Sequence, residues 1–463
     1  MLALPLIAAT LTAALIVFTE LDALAVGLSL LVCAFVLLDF RVGVVCLIVL
    51  MPLSASSMFP HSIGGITGLN PLNLLLIGTL ASWLLHGRVT GSRAGFATRP
   101  LLWFYVVPFV LAGMLGSRHL SEVAPALLII DPLTFDSVTN YLLWVVVKPL
   151  FLVLFALLVA AAVARSRKPE LFVAPTLVSI WAMCLMTIVF AFLYGAGLSE
   201  LAGSEARRFL SPLGMHANDL GRLYVIAYAL LLYTCAATKD AGLRVLLIAS
   251  MGVAILALVL TFSRGAFIGF AVVNALFLLS RRKATTLLLG VLLLVALAVL
   301  LPGAVFDRIA SGWSGGDINT ISAGRVNDIW LPLLPEILRS PIVGNGLSSI
   351  AWSEAMHAGI ILTTRHAHNA YLNATLDMGL LGLILLCAYF FHVWKGFRRL
   401  SADPAIDPLL RGFYAGAAAG LVSFMLAGFF GSRLTPCTEQ IFLWLAIGMM
   451  YGQQRAATKA SAC

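Results

Sequence analysis

Apolar runs of about 16–25 residues recur along the chain, parted by short polar turns, and each is near the ~20 residues that cross a bilayer core as a helix. Read this way, the pattern predicts spans over roughly 4–19, 23–38, 42–58, 70–86, 101–116, 141–164, 171–195, 220–237, 243–260, 265–279, 285–302, 370–392, 412–430 and 438–452. Several are short, and pairs such as 23–58 could re-enter the bilayer, so about twelve spans is the alternative to about fourteen. One long polar stretch interrupts the series, residues 303–369, ending in RHAHNAYLNATLDMGLLGL. The fold class expected is an all-α polytopic membrane bundle, a single transmembrane domain over 1–463 with 303–369 as a large external loop. Within that loop IWLPLLPEIL has the spacing of an amphipathic helix lying on the bilayer surface.

Composition agrees. Hydrophobic residues make up 61% of the chain, charged residues 11%, and mean hydropathy is +1.03; soluble domains carry roughly 25% charge. The first run has no preceding basic residue and no small-residue cleavage site, so it reads as a retained span. Seven cysteines, mostly inside apolar runs and without CxxC spacing, indicate neither a disulfide framework nor a zinc site. The net charge of +9 has no soluble domain to carry it toward nucleic acid, and it fits anionic headgroups and an anionic lipid-linked substrate.

Charge also orients the chain. Arg88, Arg93 and Arg99; Arg165, Arg167 and Lys168; Lys239 and Arg244; Arg281, Arg282 and Lys283; Lys395, Arg398, Arg399 and Arg411; and Arg455 and Lys459 all fall on one side of the expected spans. Basic flanks mark the cytoplasm, so both termini are expected there. The opposite loops hold Arg118, Arg207, Arg208, Arg264, Arg308, Arg325, Arg339, Arg365 and Arg433, and no lysine. Arginine donates as a planar fork and keeps its charge, which suits phosphate or diphosphate; a general selection against outer lysine is the plainer alternative.

Several residues carry candidate chemistry. Arg264, in TFSRGAFIGF, sits at an outer turn between two apolar segments, where it either faces a polar cavity or snorkels to headgroups. Lys148 lies inside a span beside Pro149, which can kink the helix and open a water-filled cavity; a snorkelling lysine is the alternative. Arg325 precedes the amphipathic helix, so a cation and free N–H groups coincide, unless it pairs locally with Asp328. His366 and His368 form an HxH without further metal ligands at suitable spacing, and His368 reads as a base entering a helix at the membrane boundary, or as a satisfied structural histidine. RRFLSPLGMHANDLGR (207–222) is an outer loop that binds substrate or only shapes itself, and the Glu20–Asp22 triplet is a weak acidic motif.

At His368 the sequence resembles a known family. His368-Asn369, then AYLNATLDM, then Gly379-Leu380-Leu381-Gly382 match the His-Asn/Ser/Gln, nine residues, Gly-x-x-Gly signature of the bacterial O-antigen ligase and O-antigen polymerase superfamily. SRGAF at 263–267 resembles the family's first essential arginine region, and GR…W…P…GNGL from Gly324 to Leu347 the second, within a resemblance spanning about 200–450. A GLNPLNLLL element at 68–76 is similar as well.

The resemblance implies glycan transfer on the periplasmic face of the bacterial inner membrane, from undecaprenyl diphosphate to a sugar hydroxyl of a growing glycan or of lipid A core, with no cofactor or metal and with inversion. It assigns His368 as base and Arg264 and Arg325 as diphosphate-binding groups. Lys148, Arg207, Arg208, Arg365 and Asn369 are expected to contact substrate. The missing soluble C-terminal domain is expected to set the chain apart from protein-glycosylating relatives. A lipid-linked oligosaccharide flippase or other transporter is the alternative, although no internal repeat is evident.

Overall fold

The structure is a computed structural model that describes residues 34–57, 70–89, 97–194, 206–281, 324–361, 366–431 and 433–460, with a few further positions (27, 31–32, 59, 62–63, 66–67, 319 and 322). The described residues form an all-α bundle: α1 (Phe40–Leu53), α2 (Pro71–Val89), α3 (Arg99–Glu122), α4 (Val138–Val163), α5 (Val173–Tyr194), α6 (Ala217–Ala237), α7 (Ala241–Val259), α8 (Arg264–Arg281), α9 (Leu331–Arg339), α10 (Ala370–Ala402), α11 (Pro408–Ala427) and α12 (Ile441–Ala460). Seven helical segments are long and apolar enough to cross a membrane, and three shorter apolar helices accompany them. The expected spans 4–19 and 285–302 lie outside the described residues, as does half of 23–38. A two-residue antiparallel ladder pairs Ser62–Ile63 with Ile66–Thr67, in the short connection between α1 and α2.

Proline leaves a repeated mark. A proline inside a helix has no N–H for its turn and crowds the carbonyl four residues back. Three times the chain answers by widening into a five-residue π-turn just before an X-Pro pair: Leu102–Val106 before Val107-Pro108, Leu143–Val147 before Lys148-Pro149, and Val326–Trp330 before Leu331-Pro332. In each, the residue before proline donates to the carbonyl five positions back, Val107 to Leu102, Lys148 to Leu143 and Leu331 to Val326. At Pro149, where the sequence pattern suggested a kink, the helix widens into a π-turn.

Between apolar helices in lipid there is little hydrophobic gain, so close backbone approach decides the pairing. Gly412, Gly416 and Gly420 form a four-residue-spaced seam on α11 against α6; a methyl group at Gly416 would lie 2.4 Å from the Ala229 carbonyl oxygen. Gly448 and Gly452 let α12 approach α4 in the same way, with Ala156 and Ala160 carbonyls 2.4 and 2.7 Å from where their Cβ atoms would be. An aromatic cluster of Tyr105, Tyr389 and Trp444 joins α3, α10 and α12, with Tyr105 ring centroids 4.8 Å and 5.2 Å from the other two. Tyr105 Oη donates to the Leu434 carbonyl at 2.8 Å, tying the loop before α12 to the bundle.

Candidate active site

The site is assembled from helix ends. His216 caps α6, its Nδ1 accepting from Asn218 N at 3.2 Å, and the first turns then present Asp219 and Arg222. Arg222 is buried and forks onto Glu439 through Nε (2.9 Å) and Nη2 (2.7 Å), with Nη2 also bound to Asp219. Charge buried in this way is tolerable only when paired. Gly221 lets α6 press against the first turn of α8, where a Cβ would lie 2.6 Å from Ala266 Cβ. That contact fixes Arg264, the first residue of α8, whose turn is capped by Ser263 Oγ accepting from Ala266 N at 3.3 Å.

The 324–361 segment supplies the second cation. Arg325 leads the third π-turn, and its Nη1 donates to the Phe430 carbonyl at 2.6 Å, so it reaches across to the end of α11 instead of pairing with Asp328. Burial, then the charges of Arg264 and Arg222, hold its guanidinium below the usual arginine value. Beyond, α9 is amphipathic as expected: Leu333 is buried while Leu331, Leu334 and Leu338 are exposed, a face suited to the bilayer surface.

The loop after α9 is bolted to α10 by its backbone. Asn345 N donates to Leu376 O (2.9 Å), Gly346 N to Asp377 O (3.0 Å), Leu380 N to Pro341 O (2.9 Å) and Leu381 N to Ile342 O (3.1 Å). This interlock is what breaks α10 at Gly379, which adopts φ 66° and ψ −176°. Asp377, buried beside the break, accepts from Ser349 N (3.0 Å), Ser349 Oγ (2.8 Å) and Asn373 Nδ2 (2.7 Å). Tyr141 Oη donates to Leu347 O at 2.5 Å from the other side.

His368 stands at the meeting point. Its neighbour Ala367 is held at both ends: Ala367 N donates to Asn373 Oδ1 at 3.2 Å, and Ala367 O accepts from Trp330 Nε1 at 2.8 Å. His368 itself has φ 51°, left-handed backbone that costs a non-glycine residue on the order of 1–3 kcal/mol. The other two such residues described, Phe262 (φ 47°) and Ser348 (φ 66°), adjoin the Arg264 turn and the GNGL loop. Among the described residues, positive-φ strain at non-glycine positions thus falls in or beside the three motifs. Burial, followed by the charges of Arg325, His216, Arg222 and Arg433, pushes the His368 imidazole down from 6.5 to about 4. His366, edge-on to it at 4.2 Å between centroids, is pushed to about 3 by burial, then by Arg433 and His368. Four guanidiniums (Arg222, Arg264, Arg325, Arg433) against three acidic side chains (Asp219, Asp377, Glu439) leave positive charge around a neutral imidazole.

One cavity adjoins this cluster through Arg433, and a second adjoins the first. The first, about 330 Å³, is lined by Asp131, Thr134, Trp144, Asn373, Asp377 and Arg433 among others. The second, about 410 Å³, lies across Trp144, Pro149 and Pro436 and contains Lys148, whose Nζ sits 2.8 Å from the Trp144 ring centroid. Among the described residues no group of three or more His, Cys, Asp or Glu side chains is placed to hold a metal ion.

Residues 249–387 match the protein family described as O-antigen ligase. The match begins inside α7 and ends inside α10, so it takes in Arg264, Arg325 and His368 together. It supports the superfamily resemblance and, at family level, glycan transfer of the O-antigen ligase type. A comparison with curated proteins finds no match.

Relative to this O-antigen ligase match, the structure brings His368, Arg264 and Arg325 into one cluster and leaves Lys148 in the neighbouring cavity. Asn369 caps α10, its Oδ1 accepting from Tyr371 N (3.0 Å) and Leu372 N (3.1 Å). The side chains of Arg207 and Arg208, and all of Arg365, Glu20 and Asp22, lie outside the described residues. Sequence reasoning did not single out Arg222, Arg433, Asn373 or Asp377. The lysine-free outer face was the signal for Arg433, and Arg222 only closed the 207–222 loop; Asn373 and Asp377 sit inside the His-to-Gly motif without a signal of their own.

Proposed function

We propose that the protein is a periplasmic-face glycosyltransferase that moves a glycan from undecaprenyl diphosphate to a sugar hydroxyl, as an O-antigen ligase or a polysaccharide polymerase. The observation that carries this reading is the convergence of a strained, neutral histidine, next to a doubly anchored Ala367, with Arg264 and Arg325 from two separate motifs. Such an arrangement suits a base beside a site for two linked phosphates.

In the reaction, His368 accepts the proton of the acceptor hydroxyl as that oxygen attacks the anomeric carbon. The bond from that carbon to the diphosphate oxygen breaks, the electron pair leaves with the diphosphate, and configuration inverts. Arg264 and Arg325 bind the departing anion, and donors already aimed at developing charge are worth most in a site shielded from water. Donor binding also serves the base. The cations that depress His368 are offset when the anionic diphosphate arrives, so its proton affinity rises as the complex forms. Within this scheme neither a metal nor a nucleotide is needed, and Lys148 contacts substrate from the second cavity.

The proposed orientation, with both termini cytoplasmic, is supported by charge. Along α10, Arg398 and Arg399 follow His368 by about 30 residues, roughly 40 Å of helix, which places a basic flank and the site at opposite ends of a span. Purified protein reconstituted with undecaprenyl-diphosphate glycan and an acceptor tests the function. A new glycosidic product is expected; movement of the lipid between leaflets with no product refutes the proposal in favour of a transporter.

A further inference from the structure

The smaller cavity takes no part in the chemistry above, and its lining is unusual for the edge of a membrane bundle. Asp131 and Thr134, joined by a 2.9 Å hydrogen bond from the threonine hydroxyl, face it from the segment between α3 and α4. Trp144 closes one wall from the π-turn of α4, while Asn373, Asp377 and Arg433 supply the wall nearest the cation cluster. Arg433 is the link: it lines the cavity and its charge is felt at both His366 and His368. Whatever occupies the cavity therefore lies beside the proposed base and diphosphate site.

The lining discriminates among occupants. An isoprenyl chain here would strip water from the partly exposed Asp131 carboxylate and the exposed Arg433 guanidinium without offering either a hydrogen bond, whereas Asp377 is already satisfied within the protein. A second phosphate would meet two carboxylates against one arginine, a repulsive balance. A neutral polyhydroxyl ligand satisfies both kinds of wall. Its hydroxyls donate to carboxylate and amide oxygens and accept from Arg433, and its C–H face lies against the Trp144 indole. The volume of about 330 Å³ suits so small a polar ligand. Trp144 is also held in place, because the Lys148 ammonium sits over its ring from the second cavity. Among the lining residues Leu133 is 66% exposed, an apolar edge of the kind that faces lipid, so the cavity lies where the polar head of a membrane-bound glycan would arrive.

We propose that this cavity seats a sugar ring of the glycan substrates, with Asp131, Thr134 and Trp144 as its specificity-determining residues; this rests on the glycosyl-transfer reading above.

The experiment uses full-length protein in liposomes, with Trp144→Leu, Asp131→Ala and Thr134→Val, and with Trp144→Phe to keep an aromatic ring. Thermal midpoints near wild type establish that the variants are folded. Transfer is measured with donor and acceptor varied separately, alongside binding of the glycan-bearing lipid and of sugar-free undecaprenyl diphosphate. The expected result is a KM for one sugar substrate raised about tenfold or more in Trp144→Leu and Asp131→Ala, about 1.4 kcal/mol per tenfold, with kcat little changed and Trp144→Phe much milder. A rise for the acceptor alone assigns the cavity to the acceptor sugar. A rise for the donor, with weaker binding of glycan lipid and undiminished binding of sugar-free lipid, assigns it to the donor sugar. Unchanged KM and affinity in folded variants, or an equal loss for the sugar-free lipid, overturns the proposal. A wild-type protein that binds glycan lipid but transfers nothing refutes glycosyl transfer only, and the contrast between glycan-bearing and sugar-free lipid still decides whether the cavity holds a sugar.

Discussion

Gly379→Ala tests whether the Gly-x-x-Gly of the histidine motif works through backbone interlock. At φ 66° and ψ −176° the residue occupies a region almost closed to side chains, a cost of about 1–3 kcal/mol for alanine. Its new Cβ would also lie 2.1 Å from the Ile342 carbonyl oxygen and 2.5 Å from Val343 N, main-chain atoms that cannot rotate away. The strands of the interlock must therefore part, loosening the Leu380–Pro341 and Leu381–Ile342 hydrogen bonds, each worth about 0.5–1.5 kcal/mol. Together these predict a loss of about 2–6 kcal/mol, concentrated where α10 meets the GNGL loop. The consequence should exceed the stability loss, because Asp377 and Asn373, which hold Ala367 next to His368, lie on the same turns. The assay compares thermal midpoint and transfer rate with those of Gly252→Ala, whose Cβ would meet no atom within 4 Å. Gly252→Ala should be neutral or slightly stabilising. Wild-type midpoint and rate in Gly379→Ala would refute the interlock.

His368→Ala should cut turnover by about 10²–10⁴-fold while donor binding survives, and near-normal rates would remove it as the base. With the His368 imidazole pushed down to about 4, the acid limb of kcat/KM that belongs to it should fall near pH 4, not at the ordinary histidine value of 6.5. The same depression makes the unfolded chain bind the proton first, so thermal stability should decline as pH falls from 6.5 to about 4, and His368→Gln should flatten that slope. Arg264→Lys and Arg325→Lys retain charge but lose the fork, so donor affinity or transfer rate should drop in both, with no rescue at higher pH; full activity in both would show that charge alone suffices. Arg222→Met strands Glu439 and Asp219 and should cost about 3–5 kcal/mol in a thermal or denaturant assay, part of which an added Glu439→Met should recover if the pair is electrostatic.

Much of the bundle was legible in the chain because helix formation in lipid is a local matter. A run of apolar residues must close its own backbone hydrogen bonds wherever it sits, so run length alone predicted most of the helices described. His368, Arg264 and Arg325 were legible too, since each is an expensive polar group at the edge of an apolar segment. What the sequence could not reveal is which partners meet. Arg222 and Glu439 are 217 positions apart, and their pairing depends on α6, α11 and α12 settling along glycine seams. Asn369 has the type of a substrate ligand and the work of a helix cap, a distinction made only by the two N–H groups within its reach. The break at Gly379 is similar: glycine permits it locally, but the strand of backbone lying across α10 demands it. The sequence by itself determined which segments enter the membrane and which side chains are costly enough to need a purpose. The tertiary structure decided that four arginines and a strained histidine share one site, because that convergence is a property of how helix ends are packed and not of any single segment.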